Sequence, residues 1–141
     1  MHWLHPIFQT LALPFAICAL LLGWTRFAAV HLARPGQFQW TRHVTLGSVA
    51  LSIWLAGFFA GAGIAWLEWR AVFVTGLHAR LGLCMVPFLA FGLVSGLAMH
   101  RKKKARRWLP LAHGLNNALL IPAAFVQLAT GLRILSSAVF P

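Results

Sequence analysis

Four histidines, one at the start of each of four long apolar segments, are the residues with the clearest potential for chemistry. His5, His43, His78 and His113 are separated by 38, 35 and 35 residues, close to one membrane helix plus a short loop. If the segments run alternately up and down, the first and third histidines lie near one membrane face, and the second and fourth lie near the other. Alternate helices of a four-helix bundle are diagonal partners. We therefore expect two histidine pairs that face each other across the bundle core at two depths.

Two imidazoles on opposite sides of one iron are the axial ligands of a bis-histidine haem b. The sequence thus predicts two haem b groups per chain, with His5 and His78 as iron ligands of an outer haem and His43 and His113 as iron ligands of an inner haem. Two haems at two depths divide a hydrocarbon layer of about 30 Å, which suits electron transfer across a membrane. No Cys-x-x-Cys-His motif is present, so covalent c-type attachment is excluded. Zinc or copper is a weaker alternative, because no carboxylate or thiolate completes a tetrahedral site.

Three further residues are predicted to bind the haem groups. Arg42 precedes His43, and Arg80 lies two residues after His78. A guanidinium group pairs well with an anionic propionate, so both arginines are candidate contacts. Asn117 lies one helical turn after His113, where its amide can hydrogen-bond a haem substituent or a group behind the ligand. No catalytic side chain is predicted.

The composition is that of an integral membrane protein. The chain of 141 residues is 60% hydrophobic and 9% charged, whereas an average globular chain carries about a quarter charged residues. Glu68 is the single carboxylate residue, which makes most soluble hydrolases unsuitable models. Segments at about 6–29, 40–63, 73–99 and 108–132 are each long enough to cross a bilayer. We expect an all-α transmembrane four-helix up-down bundle, one domain over residues 1–141, with no internal repeat.

The positive charge is concentrated between apolar segments. The formal net charge is +11, and six of the twelve cations lie between residues 101 and 107. A nucleic-acid binder needs a basic surface backed by a soluble core, which these loops lack. The positive-inside rule instead places the basic loops in the cytoplasm and both termini outside, in a bacterial inner membrane. The first apolar segment has no Lys or Arg before it, so we expect a retained helix and not a cleaved signal peptide.

Short motifs around the histidines give the chain a family resemblance. Leu4-His5-Pro6 opens the first segment, Arg42 precedes the second histidine, and Leu77-His78-Ala79-Arg80-Leu81-Gly82-Leu83 surrounds the third. In these features the chain resembles the cytochrome b561 family, and its length is similar to that of the minimal four-helix bacterial di-haem branch. The resemblance implies two haem b groups held by four histidines, paired first with third and second with fourth, that carry electrons across a membrane. Asn117 stands where the family usually has a small residue.

Other readings of the sequence stay open. The chain could be a haem-free membrane subunit or assembly factor that docks a larger complex, with interfacial histidines. It could also be a quinol- or metal-linked oxidoreductase that uses the same haems. The expected partners are the lipid bilayer, redox partner proteins or quinone, and a second copy or a larger complex. The remaining residues of interest have structural interpretations. We expect His2, His31 and His100 to be interfacial, although His100 could approach a cytoplasmic cofactor, and Cys18 and Cys84 to be apolar packing residues. Trp24 and Trp54 could pack on haem, but packing against lipid or the core is an equally good interpretation.

Overall fold

The computed structural model describes residues 3–139, and the side chains of residues 3–137. Four helices make up almost all of this range: α1 (Leu4–His31), α2 (Trp40–Trp69), α3 (Leu77–Arg101) and α4 (Trp108–Val139). No strand occurs in residues 3–139. The predicted all-α four-helix bundle is therefore confirmed. His2 lies outside the described residues.

The helices differ from the sequence-based estimates mainly at their ends. α2 continues to Trp69 and α4 to Val139, because a helix does not have to end where the hydrocarbon layer ends. α3 begins at Leu77, later than expected, since residues 72–76 form turns. The N–H of Gly76 donates to the carbonyl of Phe73 at 2.9 Å, and Gly76 has φ of +57°, a conformation that favours glycine.

The four helices form a ring in which each contacts the helix before and after it in the chain. α4 closes the ring against α1, and no backbone contact joins α1 to α3 or α2 to α4 within the described residues. The two diagonal pairs are therefore α1 with α3 and α2 with α4. Because α1 and α2 form one antiparallel hairpin and α3 and α4 form another, each diagonal pair combines one helix from each hairpin.

Each helix presents to the bundle interior a stripe of residues at the same register. Counted from the histidine near its start, the stripe holds the residues at positions +4, +7, +11, +14 and +18, the spacing of a heptad seam. The stripes are His5, Gln9, Ala12, Ala16, Ala19 and Gly23 on α1; His43, Gly47, Ala50, Trp54, Gly57 and Gly61 on α2; His78, Gly82, Met85, Leu89, Gly92 and Gly96 on α3; and His113, Asn117, Leu120, Ala124, Gln127 and Gly131 on α4. The four stripes share one register but only some of their residue types.

The centre of the stripes forms the hydrophobic core, between the two histidine levels. Its buried residues are Ala12, Ala16, Ala50, Leu51, Trp54, Leu89, Leu120 and Ala124. Trp54 is the largest of them, at 6% exposure, and its indole N–H donates to the carbonyl of Gln9 at 3.1 Å. The alanines of α1 leave the space that this indole fills. The middle of the bundle is therefore packed with side chains, whereas the ends carry the histidines.

The outer surface of the bundle is apolar and faces lipid. All four helices are long and apolar enough to span a membrane, and large side chains such as Leu67 and Val94 point outward at 71% and 66% exposure. Apolar surface on this scale requires a bilayer, so the chain is an integral membrane protein. Cys18 and Cys84 are exposed on this surface, which corrects their interpretation as packing residues. Trp24 is exposed as well.

Replacing Trp54 by alanine should destabilise the bundle strongly. Truncation of a buried Trp costs about 3–5 kcal/mol through lost burial and the cavity left behind. Trp24→Ala is the matched control, because Trp24 is 53% exposed and its truncation should cost about 0.5 kcal/mol or less. The free energy of unfolding in mixed detergent, followed by far-UV circular dichroism, measures both. Equal losses for the two variants would contradict the assignment of Trp54 to the core.

Candidate functional site

The bundle brings the four histidines together as two diagonal pairs. The rings of His5 and His78 have centroids 6.3 Å apart with an angle of 85° between their planes. The rings of His43 and His113 have centroids 6.2 Å apart with an angle of 69°. We call these the first pair and the second pair. Each pair joins the two hairpins across the interior of the bundle.

The separation within each pair matches that of two imidazoles bound to one metal ion. A metal lies about 2.0 Å from a coordinating imidazole nitrogen, and that nitrogen lies roughly 1.1 Å from the ring centroid, so two rings on opposite sides of one ion have centroids roughly 6.2 Å apart. Aromatic rings that only pack together cover centroid distances of about 4.5–7 Å. The distance alone therefore does not distinguish a ligand pair from a packing pair.

Hydroxyl groups hold the Nδ1 atoms of the two histidines in the second hairpin. Ser95 Oγ donates its single proton to the carbonyl of Phe91 at 2.6 Å, so the oxygen accepts from Nδ1 of His113 at 2.8 Å. Thr130 Oγ1 donates to a carbonyl of its own helix and accepts from Nδ1 of His78 at 3.1 Å. A neutral imidazole carries one N–H. With that proton on Nδ1, Nε2 keeps a free lone pair, as metal coordination requires.

A backbone carbonyl takes the same role for one histidine of the first hairpin. Nδ1 of His43 donates to the carbonyl of Ala19 at 2.9 Å. Nδ1 of His5 is buried and has no hydrogen-bond partner of good geometry, although the backbone of Gly57 faces it. Ala19 and Gly57 are both the +14 residue of the neighbouring stripe. Three of the four rings therefore have an assigned tautomer, and the fourth has an acceptor at the equivalent place.

A glycine lies against each of the four imidazoles, on the other helix of the same hairpin. A Cβ added at the glycine would lie 2.9 Å from Cε1 of His5 at Gly61, 3.1 Å from Cε1 of His78 at Gly131, 3.2 Å from Cε1 of His43 at Gly23 and 3.1 Å from Cε1 of His113 at Gly96. Real Cβ atoms rarely approach other atoms this closely. Each ring thus occupies space that only glycine leaves open.

A largely apolar cavity of about 220 Å³ surrounds the first pair. Both imidazoles line it, together with Trp54, Phe58 and the amide of Gln9. Such a space, apolar with few polar groups and two imidazoles on its walls, suits a flat amphipathic ligand. Val72 and Phe73 also line it, which places the first pair at the end of the bundle that carries the loop between α2 and α3.

The second pair lies at the basic end of the bundle, within an aromatic cluster. The ring of Phe38 packs against His43 at 5.3 Å, and the guanidinium of Arg26 lies 5.5 Å above Phe38. The indole N–H of Trp40 donates to Nδ1 of His100 at 2.9 Å, so His100 is an interfacial residue with a defined partner. Arg106, in the loop before α4, has a buried Nη1 atom without a hydrogen-bond partner. Such an orphaned guanidinium nitrogen fits an anionic group.

The other predicted binding residues have different placements. Asn117 donates to the carbonyl of His113 at 2.8 Å and lies 3.3 Å from its Nδ1. Because Nδ1 has the shorter contact with Ser95, we assign its proton to that contact, and Asn117 supports the ligand from its own helix. Arg42 and Arg80 are exposed, and Arg80 is not among the residues that line the cavity of the first pair.

Sequence reasoning missed Ser95, Thr130 and the common spacing of the four glycines at the ring edges. Their signal is present in the sequence, because each of the four histidines is followed 18 residues later by a glycine. Eighteen residues are five turns of helix, so the two residues share one face about 27 Å apart. Ser95 and Thr130 directly precede two of those glycines.

The histidines meet as pairs and not as larger clusters. Within the described residues, no group of three or more His, Cys, Asp or Glu is placed to hold a metal ion. A macrocycle that brings four nitrogen ligands of its own needs only two from the protein. No known protein family, curated protein or solved structure matches this chain.

Proposed function

We propose that this protein is a transmembrane b-type cytochrome that binds two haem b groups and carries electrons between redox partners on the two sides of a membrane. His5 and His78 would hold one haem, and His43 and His113 the other, as in the cytochrome b561 family that the sequence resembles. The observation that carries the proposal is the pair of facing imidazoles at each end, 6.3 and 6.2 Å apart, with Nδ1 of three rings engaged behind them.

The chain would perform three tasks. Carbonyl and hydroxyl acceptors hold the rings of His43, His78 and His113 and leave their Nε2 atoms free for coordination. Apolar side chains line the cavity of the first pair, and Trp54 lies in the core between the two levels. At the basic end, Arg106 would bind an anionic propionate through its unpartnered nitrogen. Haem iron, when bound, supplies one-electron chemistry by cycling between its ferric and ferrous states.

The distance between the levels supports transfer across the membrane. Each histidine lies about 27 Å along its helix from the glycine that contacts a ring of the other pair. Two levels at this spacing lie near the two borders of a hydrocarbon layer of about 30 Å. Quinone or a redox protein would exchange electrons at either end, in which case the protein functions as an oxidoreductase.

Both termini should lie outside the cytoplasm of a bacterial inner membrane. The six cations of residues 101–107 and the three arginines of the first loop region lie at the same end of the bundle, and the positive-inside rule assigns that end to the cytoplasm. Alkaline phosphatase fused to the C-terminus should be active, and the same fusion placed within residues 102–105 should be inactive. The opposite pattern would reverse the orientation and leave the haem assignment untouched.

A visible spectrum of the detergent-purified chain tests the proposal directly. Dithionite reduction should produce a sharp α band of b-type haem, and a pyridine haemochrome assay should count two haems per chain. If the chain is a haem-free docking subunit, haem-supplemented cells will yield folded protein without this band. That result would overturn the cytochrome proposal.

A further inference from the structure

We propose that Gly23, Gly61, Gly96 and Gly131 are positioning residues, each of which fixes the imidazole of one haem ligand on the neighbouring helix. The inference rests on the proposed function, because the imidazoles it concerns are the proposed iron ligands. It adds to that function the groups that set how each ligand ring is turned. None of the four glycines is itself a ligand.

The placement of the glycines follows from the register of the hairpins. Each helix carries its histidine at one end and its glycine five turns later on the same face. Because α1 and α2 run antiparallel, Gly61 reaches His5 and Gly23 reaches His43. The second hairpin repeats this reciprocal arrangement, with Gly131 at His78 and Gly96 at His113.

The ring of His43 is confined from two directions by one helix. The +14 residue, Ala19, accepts a hydrogen bond from its Nδ1 at 2.9 Å. One turn further along the same helix, the +18 glycine closes over Cε1, as Gly23 does for His43. A ring touched at two adjacent atoms by one rigid helix has little freedom to rotate about its own bonds.

A methyl group at any of these positions would act on the iron ligand. The added Cβ would lie 2.9–3.2 Å from Cε1 of the facing ring. A ring held at Nδ1 cannot turn aside from such a contact without losing its hydrogen bond, and a ring bonded to iron would strain its metal bond as well. Alanine should therefore perturb one haem, while elsewhere in a helix the same substitution favours the helical state.

The glycines divide between the two haems, which makes the inference testable in the intact full-length chain. Gly61→Ala and Gly131→Ala should alter only the haem of His5 and His78. Gly23→Ala and Gly96→Ala should alter only the haem of His43 and His113. Haem content, redox titration and electron paramagnetic resonance of the oxidised protein measure the effect, with each signal assigned from His5→Ala and His43→Ala variants. We expect loss of the affected haem or a fall in its affinity of about tenfold or more, with a changed spectrum for any haem that remains.

Gly63→Ala and Gly114→Ala are the matched controls, because a Cβ at either position meets nothing within 4 Å. Both controls should keep two unchanged haems. If wild type binds two haems and the four ring-edge variants behave like these controls, the inference is wrong and the proposed function stands. Equal damage to both haems in a folded variant would also overturn it, since general packing would then explain the glycines. If one variant does not accumulate in cells, the variant of the other glycine that contacts a ligand of the same haem provides the test. A wild-type chain that binds no haem would refute the proposed function itself.

Discussion

His43→Ala should yield a protein with one haem instead of two. The substitution removes one of the two ligands at the basic end, and the facing His113 alone cannot supply both axial positions of a low-spin haem. The first pair lies about 27 Å away along the helices and shares no ligand with the second, so its haem should be retained. The pyridine haemochrome assay should fall from two haems per chain to one, and one of two steps in a redox titration should disappear.

The controls for this experiment use the other histidines. His5→Ala should remove the complementary redox step, and the double variant should contain no haem. His31→Ala should keep both haems, because His31 is exposed and packs on Phe27. A full haem complement in the His43→Ala protein would refute the pairing of ligands.

Ser95→Ala should weaken the haem of the second pair and raise its midpoint potential. Ser95 Oγ accepts a hydrogen bond from Nδ1 of His113 at 2.8 Å. This hydrogen bond makes the imidazole a stronger electron donor to iron and therefore favours the ferric state. Loss of an acceptor behind a metal-bound histidine typically costs about 10–100-fold in metal affinity or activity. The haem of the first pair should keep its potential and affinity. A redox titration that resolves the two haems measures this difference.

Thr130→Val gives the mirror experiment, because it removes the acceptor of His78 with little change in volume. Here the first haem should change and the second should not. Ser52→Ala and Thr45→Val are suitable controls, since both residues are exposed on α2. If Ser95→Ala shifted both haems equally, a general electrostatic change would explain it better than the local hydrogen bond.

Much of the fold was predictable, because a membrane constrains a helix more simply than a soluble core does. Hydropathy and length alone specify four spans, and the ring order of an up-down bundle then makes His5 and His78 diagonal neighbours. The helix ends were less accessible. Residues 64–69 remain helical beyond the estimated span because hydropathy reports where the lipid ends and backbone hydrogen bonding reports where the helix ends.

The residues behind the ligands were not predicted, for a physical reason. Whether Ser95 lies beside His113 depends on the vertical offset between two antiparallel helices, which loop length and packing set together. The pattern of residues within one helix does not reveal that offset. Comparison of the four helices does reveal it, because a glycine follows each histidine by 18 residues and, in an antiparallel hairpin, lies at the level of the histidine on the neighbouring helix.

The division of each histidine pair between two hairpins has a consequence for assembly. Each helix packs more extensively on its hairpin partner than on its neighbour in the other hairpin, and neither hairpin alone would supply both ligands of a proposed haem. Haem iron would therefore link the two hairpins at both ends of the bundle. A chain severed between residues 71 and 75 and expressed as two fragments should reassemble in the presence of haem and stay apart when haem synthesis is blocked. Cofactor supply would then govern when the newly made protein matures.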